Sequence, residues 1–194
     1  MENYSAESTS YFQIIILLFS KPKIAYRLIL EKDETFPQYV VLGIYGFLNG
    51  ILPVILNKPL DGASIFLLIF RGGMGAVVGW FLIWLLSHLI NLTNNILKAE
   101  TDFDDVFFIF SYSFCPLTLS FFIILILSLA FPISQIISLI ILLVILAGYI
   151  WTIVLLYIGN KYLSKASWIK NSIAVFIPVV LLVVLNVVLI NLQS

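Results

Sequence analysis

The sequence predicts an all-α membrane protein: five transmembrane helices preceded by short interfacial N-terminal helices, with the N-terminus inside and the C-terminus outside. Three observations point there. Hydrophobic residues are 62 % of the 194 and charged ones 10 %, with a mean hydropathy of +1.13, whereas a soluble domain is about half apolar and about a quarter charged. The apolar residues gather into five runs, each near the ~20 residues a helix needs to cross ~30 Å of hydrocarbon. Backbone amides in lipid must pair within their own segment, and these runs are too long and too little alternating for barrel strands. The third observation is the uneven spread of basic residues along the chain.

Residues 1–36 form a cytoplasmic or interfacial segment, and residues 37–194 a single five-span domain. Met1–Ser10 is polar. Tyr11–Leu30 mixes apolar residues with Lys21, Lys23 and Arg27 and is broken at Pro22, so it reads as two short pieces in the inner interface, basic side to the headgroups. The basic Lys21-Pro22-Lys23 after Tyr11–Phe19 is no signal-peptide cleavage site. The charged run Glu31–Glu34 leads into the first span, Pro37–Leu56, and Asn57–Gly62 has a turn composition. The second span is Gly75–Ile90 extended on both sides; Ser64–Leu92 is too long for an upright crossing and should tilt, or break at the glycines after Arg71.

Asp102–Asp105 closes the next loop, where Thr101 and Asp104 fit a capping box. The third span is Val106–Phe131, which Pro116 should kink or divide into an interfacial and a crossing piece. Phe131-Pro132 turns into the fourth span, Ile136–Ile158, and Ile173–Ile190 is the fifth. Tyr157, Tyr162 and Trp168 cluster where inner headgroups should lie.

With five spans, Lys21, Lys23, Arg27, Lys32, Lys98, Lys161, Lys165 and Lys170 fall on one side, and Lys58 and Arg71 on the other. Basic residues stay cytoplasmic, which sets the orientation. Asn91-Leu92-Thr93 fits the glycosylation pattern, but on this topology it lies at the inner face and stays unmodified.

Gly46-x-x-x-Gly50 on span one and Gly75-x-x-x-Gly79 on span two are small-residue grooves of the kind that let helices approach closely in lipid. Gly50 and Gly75 are equidistant from a point just after Gly62, at the end of the intervening turn, as are Gly46 and Gly79, so an antiparallel pair turning there sets the two grooves at matching depths.

Polar groups within the spans are few: Asn49, Arg71, His88 and Asn186. Such groups in a membrane are functional candidates by default. Arg71 can snorkel outward or pair with Asp61, and His88 fits a hydrogen-bonding residue between helices; Asn49 and Asn186 fit interhelical bonds or a polar path. One histidine and one cysteine, Cys115, give no disulfide and no metal set at ligand spacing. No hydrolase elbow or phosphate loop is present, so no catalytic, cofactor or metal residues are assigned. Glu100, Asp102, Asp104 and Asp105 form an acidic cluster that favours a helix N-terminus and could face a partner on the inner side. Zero net charge makes nucleic acid an unsuitable partner.

Four stretches together resemble the Yip (Ypt/Rab-interacting) family of small membrane proteins. They are Phe19-Ser20-Lys21-Pro22 with Ala25-Tyr26; Trp84–Leu89, which includes Ser87 and His88; Asp102-Phe103 through Tyr112 to Cys115-Pro116; and Lys170 followed by Pro178. Asn94-Asn95 stands where the family usually has a glycine pair, and the acidic-leucine-glycine-proline motif of eukaryotic members is missing, as in a prokaryotic branch. The resemblance implies a five-span domain in the plasma (inner) membrane that acts without catalysis, through contacts with lipid, itself or other membrane proteins. Eukaryotic members bind prenylated small GTPases through features this chain lacks, so a GTPase partner is not expected. The alternative function is a small transporter or channel for an ion or lipid-like substrate, with Asn49, Arg71, His88 and Asn186 along its path.

Overall fold

The computed structural model describes residues 5–6, 8–32, 34, 36–57, 62–132 and 134–192, with the side chains of 36, 57, 62–64 and 182–192 outside the description. Eight helices make up the described residues: α1 (Tyr11–Ser20), α2 (Pro22–Lys32), α3 (Phe36–Asn57), α4 (Gly62–Ile96), α5 (Phe103–Ser113), α6 (Cys115–Ala130), α7 (Gln135–Ser164) and α8 (Trp168–Leu192).

Four stretches are long and apolar enough to cross a membrane: Pro37–Leu56, Ile65–Ile96, Phe103–Ala130 and Gln135–Ser164. The described apolar part of α8 is the shorter Trp168–Leu181. The chain is therefore a multi-pass integral membrane protein. At 1.5 Å per residue, α4 with its 35 residues is about 52 Å long. It runs unbroken through Gly72 and Gly73, so the break allowed at those glycines does not occur, and excess length over ~30 Å of hydrocarbon calls for tilt or extension into the headgroups.

The third apolar run is divided. α5 ends at Ser113 and α6 begins at Cys115, with Phe114 between them and Pro116 in the first turn of α6. Proline lacks an amide donor and suits a helix start rather than its interior. The residue before a proline is also pushed out of the helical region. That explains Lys21, at φ −141° and ψ 61°, which separates α1 from α2 just ahead of Pro22.

α1 and α2 are not loose on the surface. Ser10 caps α1 and Gln13 reciprocates through its side chain, a capping box. Along α2, Ala25, Tyr26, Leu28 and Ile29 are buried, whereas Lys23 and Arg27 are exposed. The buried face joins one core with Ile14 and Leu18 of α1, Ile90 of α4, Val106, Phe108, Ile109 and Phe110 of α5, Leu155 of α7 and Val175 of α8. A second cluster, Leu48, Leu52, Leu117, Phe121, Ile124 and Ile141, joins α3, α6 and α7 towards the opposite end. Residues Val106–Ser113 of α5 are all buried, so this short helix is the centre around which the longer ones pack. The N-terminal half of α4, by contrast, exposes Ile65, Phe66, Ile69, Phe70 and Met74, and α4 packs along α3.

Candidate functional site

Three constructions organise the molecule, and each places residues of the spans and their ends. The first is the α3–α4 seam. Its backbones meet so closely that side chains have no room: a methyl group on Gly46 would lie 2.7 Å from Cα of Ala76. One on Gly75 would lie 2.8 Å from Cα of Gly50, and one on Gly79 would lie 2.8 Å from Cα of Gly46. A methyl on Gly50 would press on the carbonyl of Arg71 and lie 3.1 Å from Cα of Gly75. Gly43 and Gly73, on the same two helices, face open space. Close approach maximises dispersion between helices where lipid removes the hydrophobic incentive.

The second construction is a buried amide relay at the end where the 97–102 and 165–167 connections lie. Asn94 of α4, Asn160 of α7 and Asn171 of α8 are each at most 1 % exposed. Asn94 Nδ2 donates to Asn160 Oδ1 at 2.7 Å, and Asn160 Nδ2 donates back to Asn94 Oδ1 at 3.2 Å. Asn160 Nδ2 also donates to Asn171 Oδ1 at 2.9 Å, and Asn171 Nδ2 donates to the Tyr157 carbonyl at 3.0 Å. The relay continues through Thr101, whose hydroxyl receives Asn94 Nδ2 at 3.3 Å and donates to Asn91 Oδ1 at 2.7 Å. Lys170 Nζ adds a bond to the Leu97 carbonyl at 2.9 Å. A primary amide has two donors and one accepting oxygen, so side chains of this type can link three helices with no group left over.

Thr101 is thereby occupied, and the cap of α5 is Asp102, whose carboxylate accepts from the Asp104 amide at 2.9 Å. The capping box expected from Thr101 and Asp104 is replaced by this single-residue cap. A carboxylate there also meets the positive end of the helix dipole.

The third construction is Tyr26. Its hydroxyl donates to the Leu155 carbonyl at 2.9 Å and lies 2.9 Å from the Ser113 hydroxyl, tying α2 to α5 and α7. Burial pushes this phenol well above its ordinary pKa, while the Ser113 hydrogen bond pulls the other way. It stays a neutral donor at physiological pH. Gly159 makes the room: a methyl there would lie 3.3 Å from the Tyr26 ring and press harder on Ile109.

The remaining sequence candidates are scattered. Asn49 is exposed on α3 and Arg71 is exposed on α4. Asp61, its expected partner, and the side chain of Asn186 lie outside the described residues. His88 is exposed and sits among aromatic rings, with Trp84 edge-on at 4.3 Å and Phe103 stacked at 3.8 Å and 12°. Glu100, Asp102, Asp104 and Asp105 are all exposed beside the relay. Among the described residues no three His, Cys, Asp or Glu side chains gather in a metal-holding group.

Sequence reasoning passes over Asn160, Asn171 and the hydroxyl of Tyr26, and treats Asn94 only as a departure from a glycine pair. The available signal is that each asparagine lies within a turn or two of a predicted helix end. In a linear chain, 66 residues separate Asn94 from Asn160, and nothing local shows that they meet.

These features define a multi-pass helical membrane protein whose buried polar groups join helices to one another. The chain belongs to the Yip1 domain family, whose sequence model matches residues 16–190. Its members are generally non-catalytic membrane proteins. No curated protein matches the chain, and no solved structure does.

Proposed function

We propose that this protein is a non-enzymatic organiser of its membrane, acting through protein–protein or protein–lipid contacts. It crosses five times as one domain over residues 37–194, with residues 1–36 on the inner side and the C-terminus outside. α8, 25 residues long, is about 38 Å and long enough for the fifth crossing. The basic residues Lys98, Lys161, Lys165 and Lys170 border the amide relay, in line with that end facing the cytoplasm.

The observation that carries the reading is the buried amide relay, in which Asn94, Asn160 and Asn171 hydrogen-bond one another and tie α4, α7 and α8 together. A conducting path needs polar groups turned towards a permeant, and the described cleft nearest the middle of the helices is lined by none of Asn49, Arg71 and His88. Of the two discontinuities the transporter alternative counts on, the one at the span-two glycines is missing, since α4 is continuous, while the one at Pro116 is present as the α5–α6 break.

The surface offered to a partner is the inner one: the exposed Glu100, Asp102, Asp104 and Asp105, next to the Lys170–Leu97 contact. Its chemistry suits a basic segment of another membrane protein or of a second copy. Purification in native lipid with crosslinking should recover a defined partner, which is lost when the four carboxylates are changed to amides. Ion or lipid flux in liposomes that depends on Arg71 or His88 would refute the reading.

A further inference from the structure

Roughly midway along α3 and α7 lies a cleft of about 280 Å³ walled by α3, α4, α7, α8 and the α5–α6 break. Its walls include Ile83, Phe114, Leu156 and Val179, and its hydroxyl-bearing members are Tyr45, Tyr149 and Thr152. None of its lining residues carries a formal charge. The Tyr45 ring is fixed by Phe114 at 5.1 Å and by Phe121 at 5.9 Å, and Gly79 leaves space beside it. Tyr149 is 47 % exposed and stands on the open side. Thr152 is 3 % exposed, and its hydroxyl, just under the cleft surface, has no hydrogen-bond partner. Ser87, Ser111, Ser113 and Thr118 each donate to the carbonyl four residues back; Thr152 does not.

The chemistry narrows the occupant. An apolar cavity of ~150 Å³ stays dry and takes up hydrocarbon instead, and this cleft is larger and mostly apolar. Filling it with water would take about nine molecules at ~30 Å³ each, served by only three hydroxyl side chains. A charged ligand would find no counter-charge, and an ion in hydrocarbon without one is strongly disfavoured. A bare acyl chain would leave the hydroxyls unused. We propose that the cleft binds an uncharged amphiphile, an apolar chain ending in a single hydroxyl, drawn sideways from the bilayer and held at its oxygen by Tyr45 and Tyr149. This goes beyond the proposed contact function and needs only the membrane placement on which that function also rests.

The test uses the full-length protein in lipid nanodiscs and a hexadecanol bearing a photoreactive diazirine next to its hydroxyl. Mass spectrometry should place the label on the segments carrying Ile83 and Tyr149–Leu156. Excess hexadecanol should displace it and hexadecane should not. The double variant Tyr45→Phe, Tyr149→Phe should label at least about fivefold less, the lower end expected for two lost neutral hydrogen bonds. Val179→Phe, which narrows the cleft, should label less as well; if it fails to fold, the tyrosine variants decide. Equal displacement by hexadecane, unchanged labelling of the double variant, or equal labelling of the same residues by a diazirine phosphatidylcholine would overturn the proposal and assign the cleft to ordinary lipid chains. A protein partner that still copurifies in that event leaves the contact function standing.

Discussion

Replacing Gly75 by alanine should drive α3 and α4 apart, whereas the same change at Gly43 should not. A methyl on Gly75 would sit 2.8 Å from Cα and 2.9 Å from N of Gly50. Carbon atoms pack at ~3.5–4.0 Å, so the shortfall is about 1 Å. The obstructing atoms are backbone on both sides, and no rotamer change removes them. The helices must separate by about that distance at their crossing, with the ~1–3 kcal/mol cost usual for overpacking. Alanine also gains about 1 kcal/mol of helix propensity over glycine, a term common to both sites. A methyl on Gly43 would meet no neighbouring group within 4 Å, so only the propensity gain applies there. The difference between the two variants is therefore the clash alone, ~1–3 kcal/mol. Thermal unfolding of the two variants side by side, in one lipid mixture, isolates it. Leucine at Gly46 and Gly79 should act in the same direction and more strongly. If Gly43→Ala and Gly75→Ala shift the midpoint equally, the glycines do not form a packing seam.

Asn160→Leu should destabilise by about 1–3 kcal/mol, because it leaves Asn94 and Asn171 buried without their partner; thermal unfolding reads it, and a neutral result contradicts a structural relay. Tyr26→Phe should cost about 0.5–1.5 kcal/mol and raise amide hydrogen exchange in α2 selectively, since the Leu155 carbonyl loses its donor. Lys165 ends α7 in the left-handed region at φ 49°, which glycine adopts freely, so Lys165→Gly should stabilise by up to about 1 kcal/mol; a fall in the unfolding midpoint would count against backbone strain there. A tag after Ser194 should react with an impermeant reagent from outside, and Asn91 should stay unglycosylated in microsomes; the reverse of either overturns the proposed topology.

Much of the helical layout can be written down from residue order. Pro37–Leu56 needs only its own hydropathy to be recognised, and Pro22 and Pro116 mark their helix starts through purely local geometry. Spacing likewise singles out Gly46, Gly50, Gly75 and Gly79, since the two pairs share one centre just after Gly62 and an antiparallel pair turning there sets them at equal depth. The direction in which each helix faces is much less legible. α4 is apolar around most of its circumference, so Arg71 can be placed by depth but not by side.

Crossing a bilayer is decided one segment at a time, because each helix must pair its own backbone and meet hydrocarbon with its own side chains. The sequence by itself therefore determined that this is a helical membrane protein, where most of its long helices run and where the chain breaks between them. Which residues meet was decided only in three dimensions. In lipid both the buried and the exposed faces are apolar, so the periodicity that marks the inside of a water-soluble helix is missing. Asn94, Asn160 and Asn171 come together, and Tyr26 reaches α7, because of how whole helices pack around α5, and no stretch of sequence shorter than the fold contains that information.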